Sequence, residues 1–179
     1  MTIPADRMHL LKKFLAGDAD AFTSIYREHS PSVFRFALHM TGDRDRATEV
    51  TQDVFVWLIH HAEAYDPARG ELSAFLLGVT RKFLHRSRRD QNRFVPLDDG
   101  SERPAPEPSD GSDTAELRHA IAALPERYRE AVALCDLEGK SYEEASVLLK
   151  CALGTVRSRL FRARDLLGRK LRAQQRCSL

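Results

Sequence analysis

Long apolar runs are missing from this chain. No stretch approaches the ~20 consecutive apolar residues that a membrane-crossing helix needs. The opening Met1-Thr2-Ile3-Pro4-Ala5-Asp6-Arg7 also lacks the basic-then-apolar order of a secretory leader. The expectation is a cytoplasmic protein with no membrane insertion. Cysteine is scarce: Cys135, Cys151 and Cys177 are scattered, odd in number and form no Cys-x-x-Cys pair. That suggests neither a disulfide framework nor a zinc knuckle. Cys135 and Cys151 read as small buried residues, and Cys177 falls in a tail expected to fray. Sustained apolar–polar alternation is missing as well, so no strand is expected and the fold class is all-α.

Catalytic patterns are equally thin. A metal-dependent helical enzyme would have to combine His39, His60 or His61 with Glu49, Asp53 or Glu63. Adjacent His60 and His61 point about 100° apart on a helix and do not easily chelate one ion. No HExxH or ExxH pair faces a common centre, and there is no nucleophile–base pair, glycine-rich phosphate loop or dinucleotide fingerprint. The chain is therefore not expected to be an enzyme. No catalytic residue, metal, cofactor or small-molecule substrate is expected.

What is present is helix-forming and charged. The 179 residues are 42% hydrophobic and 30% charged, which suits a folded helical protein of one ordinary domain or two small ones. The net charge of +2 conceals an uneven distribution. Arg81, Lys82, Arg86, Arg88, Arg89 and Arg93 crowd one stretch, and Arg157, Arg159, Arg162, Arg164, Arg169, Lys170, Arg172 and Arg176 another. Between them lie Asp98, Asp99, Glu102, Glu107, Asp110 and Asp113. Two basic blocks around an acidic connector suggest two modules that each meet a polyanion.

The connector, 95–112, is dominated by Pro, Gly, Ser and acidic residues and cannot bury enough apolar surface to offset its ordering entropy. It reads as a flexible, partly extended linker. Two small helical domains joined by that linker are expected, over 7–93 and 114–174 with the linker at 94–113.

Upstream, five helices are expected. Asp6 caps the first, with Leu10, Leu11, Phe14 and Leu15 inward. Asp18 or Asp20 caps the second, carrying Phe22, Ile25 and Tyr26. Ser30-Pro31 reads as an N-cap and first helical position opening a third, which stops at Gly42. The fourth runs from about Asp43 to His61 with Ala47, Val50, Val54, Trp57, Leu58 and His61 inward. Tyr65–Gly70 is a loop, and the fifth helix runs from about Glu71 into the first basic block.

Downstream, Thr114–Leu124 is one helix, and Pro125 opens another that reaches about Leu137. Ser141-Tyr142-Glu143-Glu144 is a capping box. A turn at Lys150–Gly154 precedes a longer helix with Val156, Leu160, Ala163, Leu166, Leu167 and Leu171. Short capped helix, tight turn and arginine-rich helix make a helix-turn-helix, whose second helix fits the DNA major groove. Val156 and Leu160 should hold that helix to its domain. Thr155, Arg157, Ser158, Arg159 and Arg162 are the DNA-facing candidates.

Here the sequence resembles a known family. Leu124-Pro125-Glu126-Arg127-Tyr128-Arg129-Glu130, Leu137–Ala145 and Gly154–Arg164 are similar to region 4 of bacterial RNA polymerase sigma factors. Glu49-Val50-Thr51-Gln52-Asp53-Val54-Phe55 resembles a run in sigma region 2. The resemblance implies that Glu49, Gln52 and Asp53 bind the clamp helices of core RNA polymerase. It implies that the 114–174 domain reads the minus-thirty-five element of promoter DNA. It also implies that Tyr65–Gly70 and the helix after it melt and read the minus-ten element.

For that second contact the candidates are His60, Tyr65, Asp66 and Arg69 as pocket lining. Arg81, Lys82, Arg86, Arg88 and Arg89 are expected to track phosphates. Phe75 and Phe83 are expected in the core. The short linker in place of a middle domain points to the extracytoplasmic-function (ECF) group, whose members are often silenced by an anti-sigma partner. The chain departs from the family's usual residues at Phe75, Lys82, Lys150 and Ala152. A helix-turn-helix regulator acting without polymerase would need a sensor or dimerisation domain, which residues 7–93 do not resemble.

Overall fold

The computed structural model describes residues 5–94 and 113–177, with side chains over 9–86 and 116–172. The expected linker lies, from 95 to 112, outside the described residues. The described residues are helical with no strand among them. The helices are α1 (Ala5–Leu15), α2 (Ala19–Thr41), α3 (Arg44–His60), α4 (Leu72–Phe94), α5 (Asp113–Ala122), α6 (Glu126–Val132), α7 (Tyr142–Leu149) and α8 (Leu153–Cys177). Two single 3₁₀ turns, Ala62–Ala64 and Pro67–Arg69, connect α3 to α4. The helix of α8 continues through Cys177 where fraying was expected.

Local chemistry sets most boundaries. Asp18 Oδ1 accepts the Asp20 and Ala21 amides at 2.9 Å, which caps α2. Asp43 does the same for α3 through Asp45 and Arg46. Gly42 ends α2 in the left-handed conformation, at φ 70°, where a Cβ would be strained. Ser141 and Glu144 form the expected reciprocal box: the Ser141 amide donates to the Glu144 carboxylate and the Glu144 amide to the Ser141 hydroxyl.

One boundary differs. Ser30-Pro31 opens no new helix; α2 runs 23 residues through Pro31. The apolar stripe explains this. Ala21, Ile25, Val33, Phe36, Ala37 and Met40 keep helical spacing on both sides of the proline and are all buried. Burial along that stripe outweighs the ~3 kcal/mol an interior proline costs.

In the N-terminal domain α2, α3 and α4 pack on one another around Ile25, Phe36, Val54, Leu58, Leu76 and Leu77. Phe14, Phe22, Tyr26 and Phe55 form a chain of ring contacts that fastens α1 to α2 and α3. Leu15, expected inward, is half exposed. Buried Thr51 and Thr80 satisfy their hydroxyls on the carbonyls of Ala47 and Leu76, each at 2.7 Å. Phe75 and Phe83 pack partly buried against the core, as expected.

In the C-terminal domain α5, α6 and α7 pack on α8 around Leu124, Ala131, Leu134, Ala145, Val156, Leu160 and Ala163. The expected helix to Leu137 is α6 followed by one π-helical turn, Ala133–Leu137, closed by the Glu138 amide on the Ala133 carbonyl. Cys135 and Cys151 are partly rather than fully buried.

Candidate polymerase and nucleic-acid surfaces

Because Ala47, Val50, Val54 and Leu58 are buried, α3 turns its opposite side outward. Glu49, Gln52 and Asp53 are all exposed there. Their spacing of three and four continues to Val56 and Ile59, which are 54% and 49% exposed. The structure thus adds two large apolar side chains to the three polar candidates. Exposed β-branched residues in a helix whose other face is already buried are the sequence signal that could have found them.

The segment after α3 is clasped rather than open. Tyr65 is buried, packs on Phe75 at 5.3 Å between ring centres, and donates its hydroxyl to the Gly70 carbonyl at 3.0 Å. It braces the loop through these two contacts. Asp66 Oδ1 accepts the Ala68 amide at 2.9 Å, so its carboxylate shapes the second 3₁₀ turn. His60, Asp66 and Arg69 are exposed on the rim.

His61, expected inward, is exposed. Its ring stacks on Trp57, with 4.8 Å between centres and 7° between planes, and one ring nitrogen contacts the Trp57 carbonyl. A flat aromatic pair beside a polar rim is the kind of platform on which an unpaired base can stack. The aromatic spacing of four, Trp57 to His61, was the available sequence signal.

On α4, Lys82 and Arg86 are exposed. Arg88 and Arg89 fall within the helix, but their side chains lie outside the described ones. Arg81 is engaged elsewhere. Its guanidinium holds Glu130 of α6, with Nε to Oε1 at 2.6 Å, and the same oxygen meets His85 Nε2 at 2.9 Å. His85 Nδ1 lies 3.5 Å from Glu126. His85, Glu126 and Glu130 have the donor types of a metal site. A cation among them would face the Arg81 guanidinium on a shared oxygen, so the group is better satisfied as an ionic network.

In the C-terminal domain the turn before α8 places Lys150 at φ 51°, the left-handed region in which glycine is at ease. Ala152 offers no capping side chain; its carbonyl takes the Thr155 and Val156 amides. Val156, Leu160 and Ala163 are buried and fix α8 to the domain. Arg157, Ser158 and Arg162 are exposed, while Thr155 and Arg159 are partly so.

Arg162, followed by Arg127, hydrogen-bonds Tyr128 and pulls its phenol below the ordinary value. Arg127 also lies over the Tyr128 ring at 4.8 Å. Arg164 is bound through Nε and Nη2 to Asp136, which with Tyr142 holds the guanidinium firmly charged. Arg164 therefore fixes α8 to the π-helical turn, and Arg169 pairs with Asp165 within the helix. Phe161, 76% exposed, and Val147, 75% exposed, stand out as large apolar side chains turned to solvent.

The comparisons with known proteins agree on both domains. The family model for Sigma-70 region 2 matches residues 25–94, and that for Sigma-70 region 4 matches 114–167. The chain is 36% identical over 163 residues to ECF RNA polymerase sigma factor SigE of Mycolicibacterium smegmatis, covering 84% of this chain and 63% of that one. It is 32% identical over 141 residues to ECF RNA polymerase sigma factor EcfG of Rhodopseudomonas palustris, covering 76% and 77% respectively.

Among solved structures it is similar to sigma factor RpoE of Bartonella quintana in complex with the anti-sigma factor NepR. That likeness has a TM-score of 0.71 and 25% identity, over 84% of this chain and 96% of the other. No described helix is long and apolar enough to cross a membrane. With a region 2 and a region 4 domain in one chain and relatives of the same type matching across both, this protein belongs to the ECF family of RNA polymerase sigma factors.

Proposed function

We propose that this chain binds core RNA polymerase in the cytoplasm and directs it to promoters. In this reading 7–93 engages the enzyme and the minus-ten element, 94–113 is a flexible linker, and 114–174 reads the minus-thirty-five element. Glu49, Gln52 and Asp53, joined by Val56 and Ile59, form the polymerase-binding stripe of α3. Such a mix, an apolar centre with a polar rim, suits a protein partner.

His60, Asp66 and Arg69 border the base-capture loop that Tyr65 braces, with the Trp57–His61 stack beside it. Lys82, Arg86, Arg88 and Arg89 follow the phosphates, and Arg81 joins them once released from Glu130. Thr155, Arg157, Ser158, Arg159 and Arg162 face the upstream major groove. The protein performs no chemistry of its own; the polymerase does. An anti-sigma factor, of the kind bound to the Bartonella protein, is the expected regulator.

The observation that carries this reading is the exposed basic face of α8, held at a fixed angle by buried Val156, Leu160 and Ala163. Run-off transcription with core enzyme and a promoter library tests it. Site-selective RNA dependent on this chain is expected; absence of RNA above the core-only background would refute it.

A further inference from the structure

The arginines of the C-terminal domain are held in two ways. Arg164 and Arg169 each pair with a carboxylate, Asp136 and Asp165. Arg127 of α6 and Arg162 of α8 form no ion pair among the described residues; they meet on one hydroxyl, that of Tyr128. A carboxylate orients a guanidinium and cancels its charge. A protonated phenol orients it and leaves the charge available to an outside anion.

Tyr128 is a firm mount for the pair. It is 7% exposed and belongs to the core where α6 packs on α8. Arg127 donates through Nη2 to the hydroxyl at 3.3 Å and lies over the ring at 4.8 Å from its centre, so two contacts set its plane. Arg162 donates to the same hydroxyl, and the two cations together, Arg162 foremost, pull the phenol below its ordinary value. Nitrogens bonded to one oxygen lie within roughly 6 Å of each other. Both arginines are exposed. Like charges held so close repel, and an anion between them turns that cost into attraction.

The surroundings favour a DNA phosphodiester as that anion. Arg162 stands one turn beyond Ser158 on the same exposed face of α8, the face read above as turned to the upstream major groove. Residues at the start of a groove-bound helix reach base edges; side chains from neighbouring elements suit the backbone. We propose that Arg127, Tyr128 and Arg162 form a phosphate clamp, with Arg127 a further DNA contact and Tyr128 the positioning residue that aims both guanidinia. This rests on the reading of α8 as the recognition helix. The clamp carries no sequence information of its own. It fixes the register in which Arg157 and Ser158 meet the bases.

A salt series of promoter binding by the full chain with core enzyme tests this. Arg127→Ala is expected to weaken the complex about fivefold at moderate salt. It should also flatten the slope of log affinity against log salt by about 0.9, the mark of one lost phosphate contact. The preference for a matched over a base-substituted upstream element should not change. Tyr128→Phe keeps the ring and removes only the shared acceptor; a loss of about threefold is expected. Because the hydroxyl acts through Arg127, the double variant should lose less than the product of the single losses. Circular dichroism checks that the helices survive, and should Tyr128→Phe fail to fold, Arg162→Ala takes its place in the cycle. An unchanged slope for Arg127→Ala, or an altered preference, would overturn the phosphate contact. Losses that simply multiply would overturn the positioning role. Inorganic phosphate at matched ionic strength should leave the difference between wild type and Arg127→Ala intact; if it abolishes that difference, the site holds a free anion and the DNA assignment falls. If wild type forms no promoter complex with core, the functional reading fails, and the same salt series on the chain with non-promoter duplex still decides the clamp.

Discussion

Helix α4 and helix α8 have nearly the same length, 23 and 25 residues, and each sets a buried apolar edge beside a run of arginines. They place those arginines differently. On α8 the turn nearest the N-terminus presents Arg157 and Ser158 outward, with Arg162 a turn further on. On α4 the first arginine, Arg81, is closed over by a carboxylate from the other domain. A count of Lys and Arg, six on α4 and eight on α8, does not show this difference. What separates them is where the partner stands: Arg81 of α4 is held by Glu130 of the other domain, while Arg162 and Arg164 of α8 are held by Tyr128 and Asp136 of their own.

The sharpest way to break the comparison is to remove the buried edge that aims each helix. Leu160 is 1% exposed and Leu76 is fully buried. Truncating either to alanine should cost about 2–5 kcal/mol in urea unfolding. Leu160→Ala should loosen the C-terminal domain and Leu76→Ala the N-terminal one. Loss of less than ~1 kcal/mol from either would mean the helix is held by something other than this burial.

Next in size are the exposed charges. Arg157→Ala with Arg162→Ala should lower use of promoters that depend on the upstream element by roughly 10-fold or more, with core binding intact. Gln52→Ala with Asp53→Ala should reduce core binding in a pull-down and leave upstream-element selectivity among the remaining complexes unchanged. If both pairs behave identically in the pull-down, the division of labour between α3 and α8 is wrong.

Smaller effects sharpen the picture. Lys150 sits in a left-handed conformation that costs an L-residue roughly 1–2 kcal/mol. Lys150→Gly should therefore raise stability by about 0.5–1 kcal/mol in chemical denaturation, after allowing for glycine's extra chain entropy.

The smallest effect is one of pH. Burial pushes His39, in the last turn of α2, below its ordinary value of 6.5; Glu138 opposes that shift and Arg35 and Arg118 add to it. Its neutral form is favoured when folded. Stability from this group is thus complete above pH 6.5 and declines as pH falls from there toward the lower folded value. Thermal melts at pH 7.5 and 5.5 should show the midpoint falling, and His39→Gln should shrink the fall.

Much of this was legible in the sequence because it is local. Asp18, Asp43 and Gly42 bound their helices by hydrogen bonds within a turn. The Ser141–Glu144 box is written in four residues. The outward set on α8 follows once Val156 and Leu160 are inward. What was not legible depends on residues far along the chain. Pro31 reads locally as a helix start, and only the packing of Val33, Phe36 and Met40 shows that α2 continues through it. Tyr65 looks like a loop aromatic until Phe75 and the Gly70 carbonyl claim it. Arg81 looks like its neighbours Lys82 and Arg86 because nothing nearby in sequence announces Glu130, 49 residues on.

The central claim is that these two domains clasp a promoter only when mounted on the polymerase. Fluorescence anisotropy of a labelled promoter duplex, titrated with the chain alone and with the chain plus core enzyme, tests it most directly. The account predicts tight, sequence-selective binding only in the presence of core. Equally tight and selective binding by the chain alone, unchanged when core is added, would contradict it.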